Sequence, residues 1–139
     1  MSSVNRFVEE HAADIVASLK LPSVDTIREA EEALGFSFGQ QLKFYLKNHG
    51  FLIYKFVELY GLNENQKMYS DLVVRTQKAR ENYGGLNDVV IIESMDGGNY
   101  IVCDGQDNMH EYLPMNEQKL TSLGLSFEDY VVNRFNEIA

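Results

Sequence analysis

The chain has 139 residues, 45% of them hydrophobic and 24% charged, ordinary globular values that exclude a disordered polymer and predict a single domain over 1–139. A formal net charge of −9 argues against nucleic acid and anionic membranes as direct ligands. Cys103 is the one cysteine, so no internal disulfide forms, which suits a reducing compartment. No apolar run approaches the roughly 18 residues of a membrane span. Residues 1–10 carry no basic segment followed by an apolar one, and the expected location is the cytoplasm.

Val4, Phe7, Val8, His11, Ile15, Val16 and Leu19 recur at helical spacing and predict one amphipathic helix ended near Pro22. A second helix should open near Ser23, with Ile27, Ala30, Glu31 and Leu34 spaced along it, and stop at a left-handed Gly35. The third runs from about Gly39 to Asn48 through Leu42, Tyr45 and Leu46. Residues 51–60 alternate imperfectly and are rich in aromatic and β-branched types, a strand or hairpin; 61–67 is a polar loop. Helical spacing returns over 69–82 and ends at Gly84-Gly85.

Residues 89–93 (Val-Val-Ile-Ile-Glu) form the clearest strand, apolar on both faces and therefore central. Turns at 96–99 and 105–108 separate it from strands at 100–104 and 109–113. Ser126 with Asp129 three residues on marks the start of a last helix through Tyr130, Val131, Phe135 and Ile138. The predicted class is α+β: an antiparallel meander packed against N-terminal helices, a middle helix and a C-terminal helix.

No P-loop, dinucleotide fingerprint, nucleophile elbow or metal-ligand spacing occurs, so no catalytic residue, metal or cofactor is assigned. Cys103 could act as a nucleophile if His110 stood beside it, but a cysteine in an Ile-Val-Cys strand reads as a small core hydrophobe. His11 and His49 fall in helices or at their ends, where packing or capping is the default. Residues 104–108 are oxygen-rich yet lack the EF-hand order, and a tight hairpin explains them better than calcium.

Charge is the stronger signal. Between Asp88 and Asp129 lie nine carboxylates (Asp88, Glu93, Asp96, Asp104, Asp107, Glu111, Glu117, Glu128 and Asp129) against the single base Lys119. A one-signed surface attracts a basic partner, although acidic turns alone would give the same count. Tyr54, Phe56, Tyr60, Tyr69, Tyr83, Tyr100 and Tyr112 surround the predicted sheet. Each is either core or, where exposed among carboxylates, an interface anchor. The expected partner-binding set is Asp96, Tyr100, Asp104, Asp107, Glu111 and Tyr112.

The motif order resembles the SUKH superfamily, the Smi/Knr-like cell-wall-regulator domain. Ile27-Arg28-Glu29-Ala30-Glu31-Glu32-Ala33-Leu34-Gly35 is similar to its helix with a Leu-Gly end, and 41–50 to the helix closing on an Asn-Gly-like turn. Val89-Val90-Ile91-Ile92-Glu93, then Asn99-Tyr100-Ile101-Val102-Cys103-Asp104 and the strand near Glu111, match its sheet. Where that family has a Leu-Pro pair this chain has Phe38-Gly39, and it has no tryptophan. The resemblance implies a domain without an active site. In the immunity-protein branch such a domain neutralises a cognate toxin, often a basic nuclease, by stoichiometric binding; in the other branch it is a regulatory scaffold. A small-ligand binder or minor enzyme would instead need a deep pocket at Cys103 or His110.

Overall fold

Four helices open on a side chain of their own. In the computed structural model, which describes residues 2–64 and 70–139, Ser2, Ser23, Asp71 and Ser126 accept backbone N–H groups of Asn5, Thr26, Val73 (with Val74) and Asp129. They start α1 (Ser3–Glu10), α2 (Val24–Leu34), α4 (Leu72–Asn82) and α5 (Phe127–Ile138). The remaining helix, α3 (Gln40–Asn48), follows Gly39, which has no side chain to offer. As the spacing predicts, α2 ends on Gly35 at φ +81°, a left-handed value that glycine adopts without steric cost.

Two antiparallel sheets accompany the helices. The first is β1 (Ile15–Ala17), β2 (Leu52–Tyr54) and β3 (Val57–Leu59), in that order. The second is β4 (Val89–Ser94), β5 (Tyr100–Asp104), β6 (Asn108–Leu113) and β7 (Lys119–Ser126), again in chain order. The expected pairing of β4 with β5 holds, and Ile91, Ile92, Ile101 and Val102 are all buried. At about 2–3 kcal/mol for each large apolar side chain removed from water, this quartet is a main source of stability.

Alternation along β5 decides what each face meets. Tyr100, Val102 and Asp104 point one way, together with Ile91, His110 and Tyr112 opposite them. Ile91 and Tyr100 meet Ala79 and Asn82 of α4 around one cavity, so α4 covers this face. Ile101 and Cys103 point the other way, and Ile101 meets Tyr130 and Asn133 of α5. Beyond α5, the rings of Phe7, Tyr54 and Phe135 meet pairwise with centroids 5.4 Å apart, joining α1, β2 and α5.

A bulge interrupts β4. Ile91 faces Val102 and Glu93 faces Ile101, so one residue of β5 separates two steps of β4. The extra residue is Ile92, whose carbonyl accepts the Tyr60 N–H at 2.7 Å and ties the two sheets together. It also rotates Glu93 onto the α5 face; strict alternation from Ile91 would have sent it toward α4.

Two elements depart from the sequence reading. The predicted helix over 4–19 stops at Glu10, where the His11 ring stacks on Phe7 at 3.9 Å. A short 3-10 turn follows, and Ile15, Val16 and Ala17 pair with β2 instead. β-branched residues at helical spacing fit either state, and the available partner strand decided it. β7 was not anticipated: Gly124 at φ +69° and an irregular register against β6 blur its alternation. Tyr69 and the end of the 61–67 loop lie outside the described residues. Among the described residues no helix is long and apolar enough to cross a membrane.

Candidate functional site

The six residues expected to form an acidic, aromatic surface do not come together as one patch. Asp104 and Asp107 sit at the β5–β6 turn, whereas Asp96, Tyr100, Glu111 and Tyr112 lie toward the opposite end of the sheet. Four residue steps along β5 separate Tyr100 from Asp104, or about 13 Å.

Several of these side chains are occupied by the chain itself. Asp104 Oδ1 accepts from the backbone N–H of Gln106 (2.8 Å) and Asn108 (3.0 Å), and its Oδ2 lies 3.0 Å from His110 Nε2. Burial works to raise the Asp104 pKa, but the hydrogen bonds from His110, Asn108 and Gln106 outweigh it and the net shift is downward. Those oxygens close the hairpin, as the turn reading of 104–108 requires.

Asp107 is buried, and its carboxylate accepts from Gln41 N (2.9 Å) and Leu42 N (3.1 Å), the free donors at the start of α3. The Phe38-Gly39 departure has its explanation here: a Cβ on Gly39 would lie 2.3 Å from Asp107 Cγ. Tyr112 is fully buried with its hydroxyl donated to the Gly84 carbonyl. Asp107 and Tyr112 are therefore withdrawn from the expected contact surface, because both are buried and their polar atoms are bonded within the chain. Glu111 is half-buried and takes the Asn99 amide, Tyr100 is half-buried, and Asp96 is the one fully exposed member.

Cys103 is buried, and its thiol pKa is pushed well up by burial and by the nearby Asp107 and Asp104 carboxylates. Its cross-strand partner is Met109; His110 faces Val102, on the other side of the sheet. A base one strand away on the opposite face cannot activate the thiol.

Two features escaped the sequence reading. The first is a buried clasp: Glu93 accepts from the Tyr130 hydroxyl at 2.5 Å and from Arg134 Nε and Nη2 at 3.2 and 2.9 Å. The hydrogen bonds to Glu93 raise the Arg134 pKa, and burial beside that carboxylate raises that of Tyr130. Tyr130 and Arg134 are four residues apart on α5, so the clasp fastens that helix to the bulged strand.

The second is an exposed apolar strip. Leu19 is fully exposed, Val24 is 62% and Val16 55% exposed, and Leu21 joins them within the same short segment. The strip starts on β1, the terminal strand of its sheet, and ends on the first turn of α2. Between Glu9 and Glu32 the chain has seven acids (Glu9, Glu10, Asp14, Asp25, Glu29, Glu31 and Glu32) against Lys20 and Arg28. All of those acids but Glu31 are exposed. Val16 and Leu19 were visible in the sequence but fell on the apolar stripe of the predicted amphipathic helix.

Comparisons with known proteins agree with this architecture. A crystal structure of a protein from Pseudomonas syringae pv. tomato superimposes with a TM-score of 0.73 at 18% identity, covering 96% of this chain and 98% of that one. At that identity the likeness speaks to the fold. No curated protein matches. The family SUKH_5, described as SMI1-KNR4 cell-wall, matches residues 4–136, nearly the whole chain, and its domains are generally non-catalytic binding domains. The chain belongs to this SMI1-KNR4 family.

Proposed function

We propose that the chain is an immunity-type binding protein that neutralises a basic toxin, a nuclease by the charge argument, through stoichiometric contact. The observation that carries this is the Val16–Val24 strip, which starts on a terminal strand and is set among exposed carboxylates. Apolar centres with charged rims are the anatomy of protein interfaces, and an unpaired strand edge offers backbone donors and acceptors to a partner. A nuclease site is basic because it holds phosphate, so an acidic surface is its electrostatic complement. Asp96, with Tyr100 and Glu111 behind it, supplies a weaker second contact at the sheet rim.

The test co-expresses variants with the toxin encoded beside this chain's gene and follows survival, with association rate measured against salt. Leu19→Arg with Val24→Arg should abolish protection. Asp25→Lys with Glu29→Lys should slow association by roughly 10- to 1000-fold, an effect that added salt removes in the native protein. Asp96→Lys with Glu111→Lys should change the rate slightly. Protection that survives the strip variants and fails with the sheet-rim pair would move the contact to the sheet; protection intact in both would overturn the reading. The cell-wall description of the family favours a second reading, a regulatory scaffold, to which a neighbouring gene without a toxin domain would point.

A further inference from the structure

A groove lies open to solvent beside α5. It has a volume of about 280 Å³, and its floor is mostly apolar: Met95, Ile101, Leu123, Leu125 and Tyr130. Met95, Leu123 and Leu125 are half-buried, packed against the core below and accessible from above. Asn133, Arg134 and Glu137 form the wall on the helix side. With Tyr130 they stand at i, i+3, i+4 and i+7 of α5, one stripe about 10 Å long.

An aromatic ring borders the same wall. Phe56, at the turn between β2 and β3, is 77% exposed, and the Arg134 guanidinium carbon lies 5.7 Å from its ring centroid. Arginine, methionine and aromatic rings around an apolar floor are the composition of interface centres rather than of ordinary surface.

Charge around the groove is one-sided once the internal bonds are taken out. Arg134 is held by Glu93, and Lys55 Nζ donates to the Ile138 carbonyl at 2.7 Å. The carboxylates face solvent. Asp96 follows Met95, Asp129 lies one turn before Asn133, and Glu137 keeps 68% of its side chain exposed. With a net charge of −9, a second copy of the chain or an anionic membrane would be repelled from this rim.

We propose that this groove docks an amphipathic helix of a partner protein, apolar along one face and bearing lysines or arginines beside that face. A two-turn apolar stripe matches the length of the α5 wall. The volume lies just below the about 300 Å³ at which drug-sized pockets begin, so side chains enter while the helix backbone stays above the rim. Met95 is unbranched and adapts to whichever side chain enters. Rim carboxylates then meet the flanking cations. The groove belongs to the second sheet, whereas the Val16–Val24 strip starts on the first, so this proposal stands apart from the toxin reading.

Backbone NMR of the full chain tests this with a capped peptide of two tandem Lys-Leu-Ala-Lys-Leu-Ala-Lys units, whose leucines share one helical face. One control peptide scatters those leucines around the helix, and another replaces every lysine by glutamate. The first peptide should give saturable shifts at Ile101, Leu123, Leu125, Asn133 and Glu137 and should gain helical circular dichroism on binding. Each control should bind about tenfold more weakly or worse.

Asn133→Arg, at an exposed position, sets a cation in the wall and should weaken the first peptide about tenfold. Asp96→Asn with Glu137→Gln should weaken it about 2- to 5-fold and flatten its salt dependence. Phe56→Ser should also weaken binding. Shifts gathered on the Val16–Val24 strip, equal binding of the scattered-leucine peptide, or no saturable shift would overturn the proposal. Groove shifts that appear when the chain alone is concentrated would overturn it too, by assigning this face to a second copy.

Discussion

Carboxylates at the sheet and carboxylates at the N-terminal edge have the same formal charge and opposite uses. Glu93, Asp104, Asp107 and Glu128 hold an arginine, a hairpin, the start of α3 and the start of α1. Asp14, Glu29 and Glu32 face solvent. Asp25 pairs with Arg28 three residues away at the surface, an arrangement worth little. Acid density in a sequence therefore measures capacity for contact, and burial decides whether that capacity is already used inside the chain.

The contrast is broken most severely at Glu93. Truncation to Ala leaves Arg134 mostly buried without its partner and should cost about 3–5 kcal/mol, read as a drop in the urea midpoint. Replacing both members, Glu93→Met with Arg134→Met, should be close to neutral, because a matched apolar pair avoids the desolvation of two ions. A double variant as unstable as the single one would show that the clasp is worth more than its burial costs.

Asp107→Ala should come next, at about 1–2 kcal/mol, since it removes the cap of α3 while leaving the rest of the turn. Asp107→Asn should recover part of the loss in thermal melts, and no recovery would argue that charge at the helix start is what matters.

His49 gives the smallest effect and a pH dependence. It is buried with Nε2 2.7 Å from Asn5 Oδ1, and burial lowers its pKa below the ordinary 6.5. The unfolded chain therefore takes up this proton first, so stability is intact above about pH 6.5 and declines as pH falls toward the folded value. The native thermal midpoint should fall more steeply over that acid range than that of His49→Gln; parallel curves would remove His49 from the acid sensitivity.

What could be read in the sequence was local. Ser23 and Gly35 bracket α2 because each acts on backbone within a turn of itself, and Val89 to Cys103 carries its own alternation and turn. The Asp107 cap spans 66 positions and the Glu93–Arg134 clasp 41, and no short-range pattern encodes either. Val16 shows the converse: its spacing was genuine, but a strand partner at Ile53 overrode the helix it suggested. The expected surface failed at Tyr112 for a similar reason, since burial under the end of α4 is a tertiary fact.

The bulge at Ile92 has a bearing on how the chain avoids mistakes while folding. The Val-Val-Ile-Ile run is apolar on both faces and would accept a neighbour at several offsets. A slip of one position returns Glu93 to the α4 side and takes it away from the Tyr130 hydroxyl and the Arg134 guanidinium that hold it in the aligned register. Misaligned pairings thus carry a penalty that the aligned one lacks, and a single carboxylate proofreads a strand otherwise too uniform to measure its own position.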